Sequence, residues 1–243
     1  MQRRSNPVSW TWRSRNRARL NSARTARRRV IPAVEQFEDR TLLSLSVGTN
    51  FTGSGLNRSG YIPPDTQGAA GPTQLVETLN GTVSVFSKIG SLLSQTTLDS
   101  FFNTALTAGG GGSVTSNSFD PRIAYDEQSQ RFFVAGDDNG GAANSFLIAV
   151  SNSSDATAGW KAWKVNSDPS GADWMDFPTL GFNHDGVYLG GNMFPISGAG
   201  NAATDILVIP KADLVSGVGV THATLFADQD PSGTGFPSSP WST

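Results

Sequence analysis

Aspartates are the residues of this chain with the greatest potential for chemistry. Asp65, Asp120, Asp173 and Asp176 all fall in turn-like segments beside strand candidates, from which each can reach one rim of a β-sheet fold. Two facing carboxyl groups form the machinery of most glycoside hydrolases, so these four are candidates for an acid and base pair. Aspartate is also common in turns, where it bonds to backbone amides. The sequence leaves both roles open.

The sequence offers few residues for thiolate, histidine or metal chemistry. The 243 residues include no cysteine, and the two histidines, His184 and His222, lie in different turns. A thiolate metal site or a Ser-His-Asp triad is therefore not expected. Residues 137–140 (DDNG) resemble part of a calcium loop but lack its later glutamate, and we interpret them as a hairpin turn. We predict no metal ligands, no cofactor and no catalytic residues.

A repeat organises the elements that would position these side chains. Pro64, Pro121 and Pro178 stand 57 residues apart, and each opens a stretch that leads through a polar turn into an apolar, β-branched segment. Each interval accommodates about four short strands, which is typical of one blade of a β-propeller. We predict an all-β fold, a partial β-propeller of about three four-stranded blades. A two-layer sandwich of about twelve strands is the alternative.

The predicted propeller occupies residues 46–243, with units near 61–117, 118–174 and 175–234. The clearest hairpin signal is Asn80-Gly81 between two β-rich runs. Long helical patterns are absent, residues 109–112 (GGGG) are interpreted as a flexible linker, and one helical turn each is expected at 155–159 and 211–217. The strand candidates are 75–79, 82–87, 122–125, 131–135, 146–151, 160–165, 179–182, 187–190, 206–209 and 221–226.

Three blades do not close a propeller, since about four to eight are usual. We therefore expect either a fragment of a longer protein or self-association through an open blade edge, because unpaired strand edges invite pairing.

The N-terminus carries a strongly basic segment. Residues 1–40 hold eleven arginines against three acidic residues, a net charge of +8, and the remainder carries −10. Without hydrophobic periodicity, such a segment cannot offset its ordering entropy. We predict a disordered export or sorting segment at 1–45. Binding of nucleic acid through these arginines is the alternative, but the acidic body would repel the same polyanion.

Residues 34–44 (VEQFEDRTLLS) refine that interpretation. Together with the arginine-rich stretch before them, they resemble the "LEQLEDRTLLS" segment near the N-terminus of many secreted or surface proteins of planctomycete bacteria. The resemblance implies export and a secreted or cell-surface location. No apolar run is long enough to span a membrane as a helix.

Residues 120–126 (DPRIAYD), 131–134 (RFFV) and 149–155 (AVSNSSD) resemble secreted bacterial propellers of the sialidase-like superfamily. Residues 153–160 (SSDATAGW) are similar to the Asp-box hairpin of sialidases, with two extra residues before the glycine. In that family the box is structural. The resemblance therefore implies that Asp155 bonds turn amides and that Trp160 packs between strands.

These features predict an exported or cell-surface binding module without evident catalytic machinery. Its partner would be a glycan or a surface protein, contacted by Trp174 in a loop, Arg122 and Asp176. Arg122 also has a plainer interpretation, as the ion-pair partner of Asp120 or Asp126. A sialidase-type glycoside hydrolase is the alternative function, although the arginine cluster that binds a sialic acid carboxylate is missing.

Overall fold

The computed structural model describes residues 47–198 and 203–227, which form three four-stranded antiparallel sheets. Sheet 1 contains β1 Gln67–Ala70, β2 Gln74–Leu79, β3 Thr82–Ser87 and β4 Leu92–Thr97. Sheet 2 contains β5 Ser118–Asp126, β6 Arg131–Asp138, β7 Ser145–Ser151 and β8 Trp160–Asn166. Sheet 3 contains β9 Asp173–Phe182, β10 Gly186–Pro195, β11 Ala203–Pro210 and β12 Thr224–Phe226. The helices are α1 Leu56–Ser59, α2 Leu98–Gly109 and α3 Lys211–Ser216.

The sheets are arranged as consecutive propeller blades. Within each sheet the strands pair in chain order, and the first strands of neighbouring sheets contact one another, β1 with β5 and β5 with β9. In a propeller, the first strands of the blades meet around a central region and the later strands lie farther out. The predicted all-β, three-bladed fold is confirmed. The first strands together are called the hub below.

Two hydrophobic layers hold the three sheets together, and sheet 2 contributes to both. Phe132 and Val134 of β6 belong to the layer shared with sheet 1 and α2, whereas Phe133 and Ala135 belong to the layer shared with sheet 3. All four side chains are fully buried. Because successive side chains of a strand point to opposite faces, a continuous apolar run is what a strand buried on both sides requires.

Helix α2 contradicts the prediction that longer helices are absent. Its apolar side chains recur at helical spacing and are buried against sheets 1 and 2, at Leu98, Phe101, Phe102, Ala105 and Leu106. The Thr97 hydroxyl caps its first turn by accepting from the Ser100 amide at 3.1 Å, and Gly110 ends it with a φ of 78°. The predicted linker at 109–112 therefore begins with a helix terminus. At 155–159 the chain forms a turn rather than a helix, while α3 occupies the second predicted site.

The repeated prolines are equivalent in two of the three sheets. Pro121 and Pro178 each follow a residue with positive φ (Asp120 at 48°, Phe177 at 55°), and each pair forms a β-bulge in the first strand of its sheet. Opposite these bulges lie Gly136 in β6 and Gly191 in β10. Pro64 precedes its positive-φ residue, Asp65, so the structural repeat is offset by two residues in sheet 1.

None of the helices in the described ranges is long and apolar enough to span a membrane. The basic segment 1–45 and the residues 34–44 within it lie outside the described residues, so their predicted roles stay predictions.

Candidate functional site

Three aspartates from sheets 2 and 3 converge at the hub. Asp120 lies in the bulge of β5, Asp137 lies in β6 and Asp176 lies in β9. One carboxylate oxygen from each residue lies within 4.8 Å of the others. We call these three residues the carboxylate centre.

Two β-bulges shape this region of the hub. Asp137 pairs with Phe119, immediately before the bulge in β5, and Asp176 lies immediately before the bulge in β9. Bulges redirect side chains and are frequent beside functional sites. Positive φ at Asp120 and Phe177 adds backbone strain, which persists only where the surrounding structure fixes the conformation. The local backbone conformation therefore fixes the direction of these side chains.

Asn80 connects the carboxylate centre to sheet 1. Its side-chain amide donates to Asp65 Oδ2 at 2.6 Å and to Asp120 Oδ1 at 3.3 Å, and its Oδ1 accepts from the Asp120 amide at 2.7 Å. Asn80 is the first residue of the predicted Asn80-Gly81 turn, which the structure confirms between β2 and β3. The turn thus also brings Asp65 beside Asp120.

Burial raises the pKa of all three members of the centre, and neighbouring carboxyl groups add to the effect. Burial, together with the carboxyl groups of Asp65 and Asp176, raises the pKa of Asp120 to about 6, although the Asn80 hydrogen bond opposes this shift. Burial also raises the pKa of Asp176, against the effect of the Phe177 amide. For Asp137, burial followed by the charges of Asp120 and Asp176 raises the pKa well above its ordinary value. Like charges that share a buried site have this effect.

Asp137 is the most unusual member of the centre. It is fully buried, and neither carboxylate oxygen has a hydrogen-bond partner among the described residues. The Arg122 charge and, to a smaller extent, the Phe177 amide favour its ionised form, but the amide does not reach hydrogen-bond geometry. Buried carboxyl groups are nearly always paired, so an unpartnered one calls for an explanation.

An exposed aromatic side chain borders the centre. Phe177 follows Asp176 directly and is 49% exposed. The Arg122 guanidinium stacks on its ring, with Cζ 4.3 Å from the ring centroid, and donates to the Pro121 carbonyl at 3.1 Å. The expected ion pair of Arg122 with Asp120 or Asp126 does not occur within the described part of the chain. The cation–π contact with Phe177 takes its place.

The structure brings together several of the aspartates singled out from the sequence. Asp65 and Asp176 lie beside Asp120, whereas Asp173 begins β9 opposite Pro195. Trp174 lies in β9 rather than in the predicted loop, half-buried, with its ring 5.8 Å from that of Phe194. Of the three candidate ligand contacts, Asp176 belongs to the carboxylate centre and Arg122 borders it.

Asp155 and Trp160 lie elsewhere, between sheets 1 and 2. Asp155 accepts hydrogen bonds from the Thr157 amide at 2.8 Å and from Gln74 of β2 at 2.7 Å, and its pKa is lowered by bonds from Thr157 and then Gln74. Trp160 donates from Nε1 to the Ala156 carbonyl at 2.8 Å, and its ring lies 5.1 Å from that of Phe101. These contacts are structural in character.

Three residues of the site escaped the sequence analysis. The sequence predicts a turn at Asp137 and a hairpin at Asn80, and its pattern gives no functional prediction for Phe177. The repeat carries one signal for this site. Asp120-Pro121 and Phe177-Pro178 stand 57 residues apart and form equivalent bulges in β5 and β9.

A separate cavity of about 240 Å³ lies between sheets 1 and 2. It is lined by apolar and hydroxyl side chains that include Val85, Phe101 and Trp160, and none of its lining residues is titratable. This cavity could hold a small molecule but contains no acid, base or charged side chain. The carboxylate centre is therefore the stronger candidate for a functional site.

Fold and site together define a three-bladed, propeller-type β-protein with a carboxylate centre at its hub. No protein-family model matches the chain, and no curated protein matches it. Among solved structures it is similar to the native arabinanase Arb43A of Bacillus subtilis, with 16% identity and a TM-score of 0.36, over 62% of this chain and 67% of that chain. A likeness at this level bears on neither substrate nor mechanism.

Proposed function

We propose that this protein is an exported or cell-surface binding module that recognises a carbohydrate at the hub ends of its blades. The observation that carries the proposal is the half-exposed Phe177 ring, stacked on Arg122 beside the carboxylate centre. The exported location rests on the basic N-terminal segment and on the resemblance of residues 34–44 to a sorting segment.

Sugar recognition combines an apolar ring face with a few oriented polar groups. Phe177 supplies the aromatic surface, and Arg122 holds the ring in place from one side. Asp176, which is half-buried, and Asp65 supply carboxylate oxygens that accept hydrogen bonds from sugar hydroxyls. The backbone of Phe177 is held in a positive-φ conformation before any ligand binds. Ordering this residue therefore adds little to the entropy cost of binding.

The test is binding of the full chain to a glycan array, followed by titration calorimetry with the strongest glycan. Phe177→Ala should weaken binding by about tenfold or more, because aromatic anchors dominate such contacts. Phe226→Ala is the matched control, since Phe226 is 46% exposed but lies in β12, the outermost strand of sheet 3. Equal binding by both variants, or no glycan bound at all, would refute the proposal.

Glycoside hydrolysis is the second candidate, favoured by the proximity of the carboxyl groups. One oxygen of Asp120 and one of Asp176 lie within 4.8 Å of each other, which is closer than the roughly 6.5–9.5 Å between the carboxyl groups of inverting enzymes and compatible with retaining hydrolysis. Released sugar from bound glycans, lost in Asp120→Asn, would favour this candidate. Binding without turnover would favour the module.

A further inference from the structure

We propose that the carboxylate centre binds one divalent cation of the size of calcium, held by Asp120, Asp137 and Asp176. The inference concerns the cation alone and stands independently of carbohydrate binding.

The geometry suits a single ion. Calcium is bound by oxygen atoms at about 2.3–2.6 Å, so two ligands on opposite sides of it are separated by about 4.8 Å. One oxygen from each of the three aspartates lies within 4.8 Å of the others. The three carboxylates can therefore share one ion, and each has a second oxygen that can complete a bidentate contact.

Asp137 provides an independent observation that points to a ligand. Its carboxylate is fully buried, lies against those of Asp120 and Asp176, and lacks a hydrogen-bond partner on either oxygen within the described residues. A carboxyl group in a turn or ladder with a purely structural role would be bonded to nearby donors, as Asp126 is to Ser129. A cation supplies what both oxygens of Asp137 lack.

The charges around the centre need such a ligand. Arg122 is the basic residue whose charge acts on Asp137, and its guanidinium is engaged with Phe177 and the Pro121 carbonyl. Lys164 and Lys211 are paired with other aspartates, Asp138 and Asp126. Within the described residues, the three carboxyl groups therefore face one another beside one positive charge, and a divalent ion would offset the negative charge of their ionised forms.

The chemistry of the ligands selects the class of cation. Carboxylate oxygens without nitrogen or sulfur donors favour hard ions such as calcium and magnesium over zinc or copper. Magnesium dehydrates reluctantly and usually keeps several waters, so the burial of Asp120 and Asp137 favours calcium.

The experiment is isothermal titration of calcium chloride into the full chain after treatment with chelator, with magnesium chloride titrated in parallel. We expect one site per chain with a dissociation constant of about 1 mM or tighter, and weaker binding of magnesium. Asp137→Asn should weaken calcium binding by about tenfold or more, because it removes one charged ligand while preserving shape. Asp185→Asn, at an exposed position, should leave it unchanged.

Circular dichroism establishes that each variant is folded. If Asp137→Asn fails to fold, Asp176→Asn carries the test, because Asp176 is only half-buried. The proposal is overturned if calcium produces no heat of binding up to about 10 mM, beyond the weak end of known protein sites. It is also overturned if magnesium binds as tightly as calcium, or if the folded aspartate variants bind calcium like the parent chain. None of these results depends on a glycan, so the cation site and the carbohydrate site can fail separately.

Discussion

Lys211 at the start of α3 donates a hydrogen bond to Asp126 at the end of β5 at 2.9 Å, and both side chains are buried. Lys211 also donates to Gln128 at 3.0 Å, so sheet 3 is joined to the β5–β6 turn of sheet 2. Removal of one member of a buried pair leaves an uncompensated charge. Lys211→Met should therefore lower the free energy of unfolding by about 3 kcal/mol in urea denaturation. Lys88→Met, at an exposed position, is the control, and equal midpoints for the two variants would contradict the assignment.

Asp126 gives the protein a defined acid sensitivity. Burial alone would raise the pKa of Asp126, but hydrogen bonds from Ser129 and Lys211 outweigh it and lower the pKa below the ordinary value. A carboxyl group with a lowered folded-state pKa contributes stability above the unfolded pKa of about 4 and loses it as the pH falls through the folded pKa. The stability difference between the parent chain and Asp126→Asn should be constant at neutral pH and shrink below about pH 4. Thermal melts across this range measure it, and a difference that grows on acidification would exclude the pairing.

Trp160 joins the layer between sheets 1 and 2. Its ring packs on Phe101 and Phe132, at centroid distances of 5.1 and 6.3 Å. Trp160→Ala should cost about 3 kcal/mol of unfolding free energy, because the large side chain leaves a cavity. Trp174→Ala is the matched comparison, because both tryptophans are half-buried, but among the described residues Trp174 has one ring contact, with Phe194, where Trp160 has two; it should therefore cost less. A larger loss at Trp174 would contradict this ranking.

Gly191 tests the bulge in sheet 3. It lies opposite Phe177-Pro178, and a Cβ atom placed there would lie 2.2 Å from Met175 Cγ, in the core. Gly191→Ala should therefore destabilise the protein by about 1–3 kcal/mol through overpacking. At Gly140 the nearest atom to such a Cβ is 3.9 Å away, so Gly140→Ala should be close to neutral. Equal unfolding midpoints for Gly191→Ala and Gly140→Ala would show that the backbone at Gly191 is not packed closely against Met175.

The strands were predictable wherever their apolar pattern was local. The run at 131–135 and the Asn80-Gly81 turn led to β6 and to the hairpin of β2 and β3, because both signals lie within a few residues. Helix α2 is not predicted although Leu98, Phe101 and Ala105 have helical spacing, because the pattern is short and the serine, asparagine and threonine residues between them have low helix propensity. Packing against sheet 2 stabilises that helix, and the local sequence does not predict this tertiary contact.

The carboxylate centre was only partly predictable. The sequence predicts Asp120 and Asp176 as candidates because both fall in turn-like segments beside strand candidates, from which they can reach one rim of the fold. Asp137 is not among them, because its approach to them depends on the register of β6 against β5, and a shift of one residue would point it to the other face. A bulge decides that register, and a bulge is a property of two strands rather than of one segment.

The equilibrium stability of Asp137→Asn tests most directly whether three carboxyl groups converge at the hub. In the presence of chelator at neutral pH, the parent chain buries Asp137 beside Asp120 and Asp176, with no hydrogen-bond partner for its carboxyl group in the described part of the chain. An asparagine has the same shape, carries no charge and can donate to those neighbours. We predict that Asp137→Asn raises the free energy of unfolding in urea by about 1–3 kcal/mol, the cost of burying an unpaired polar group. A variant less stable than the parent chain would contradict the carboxylate centre.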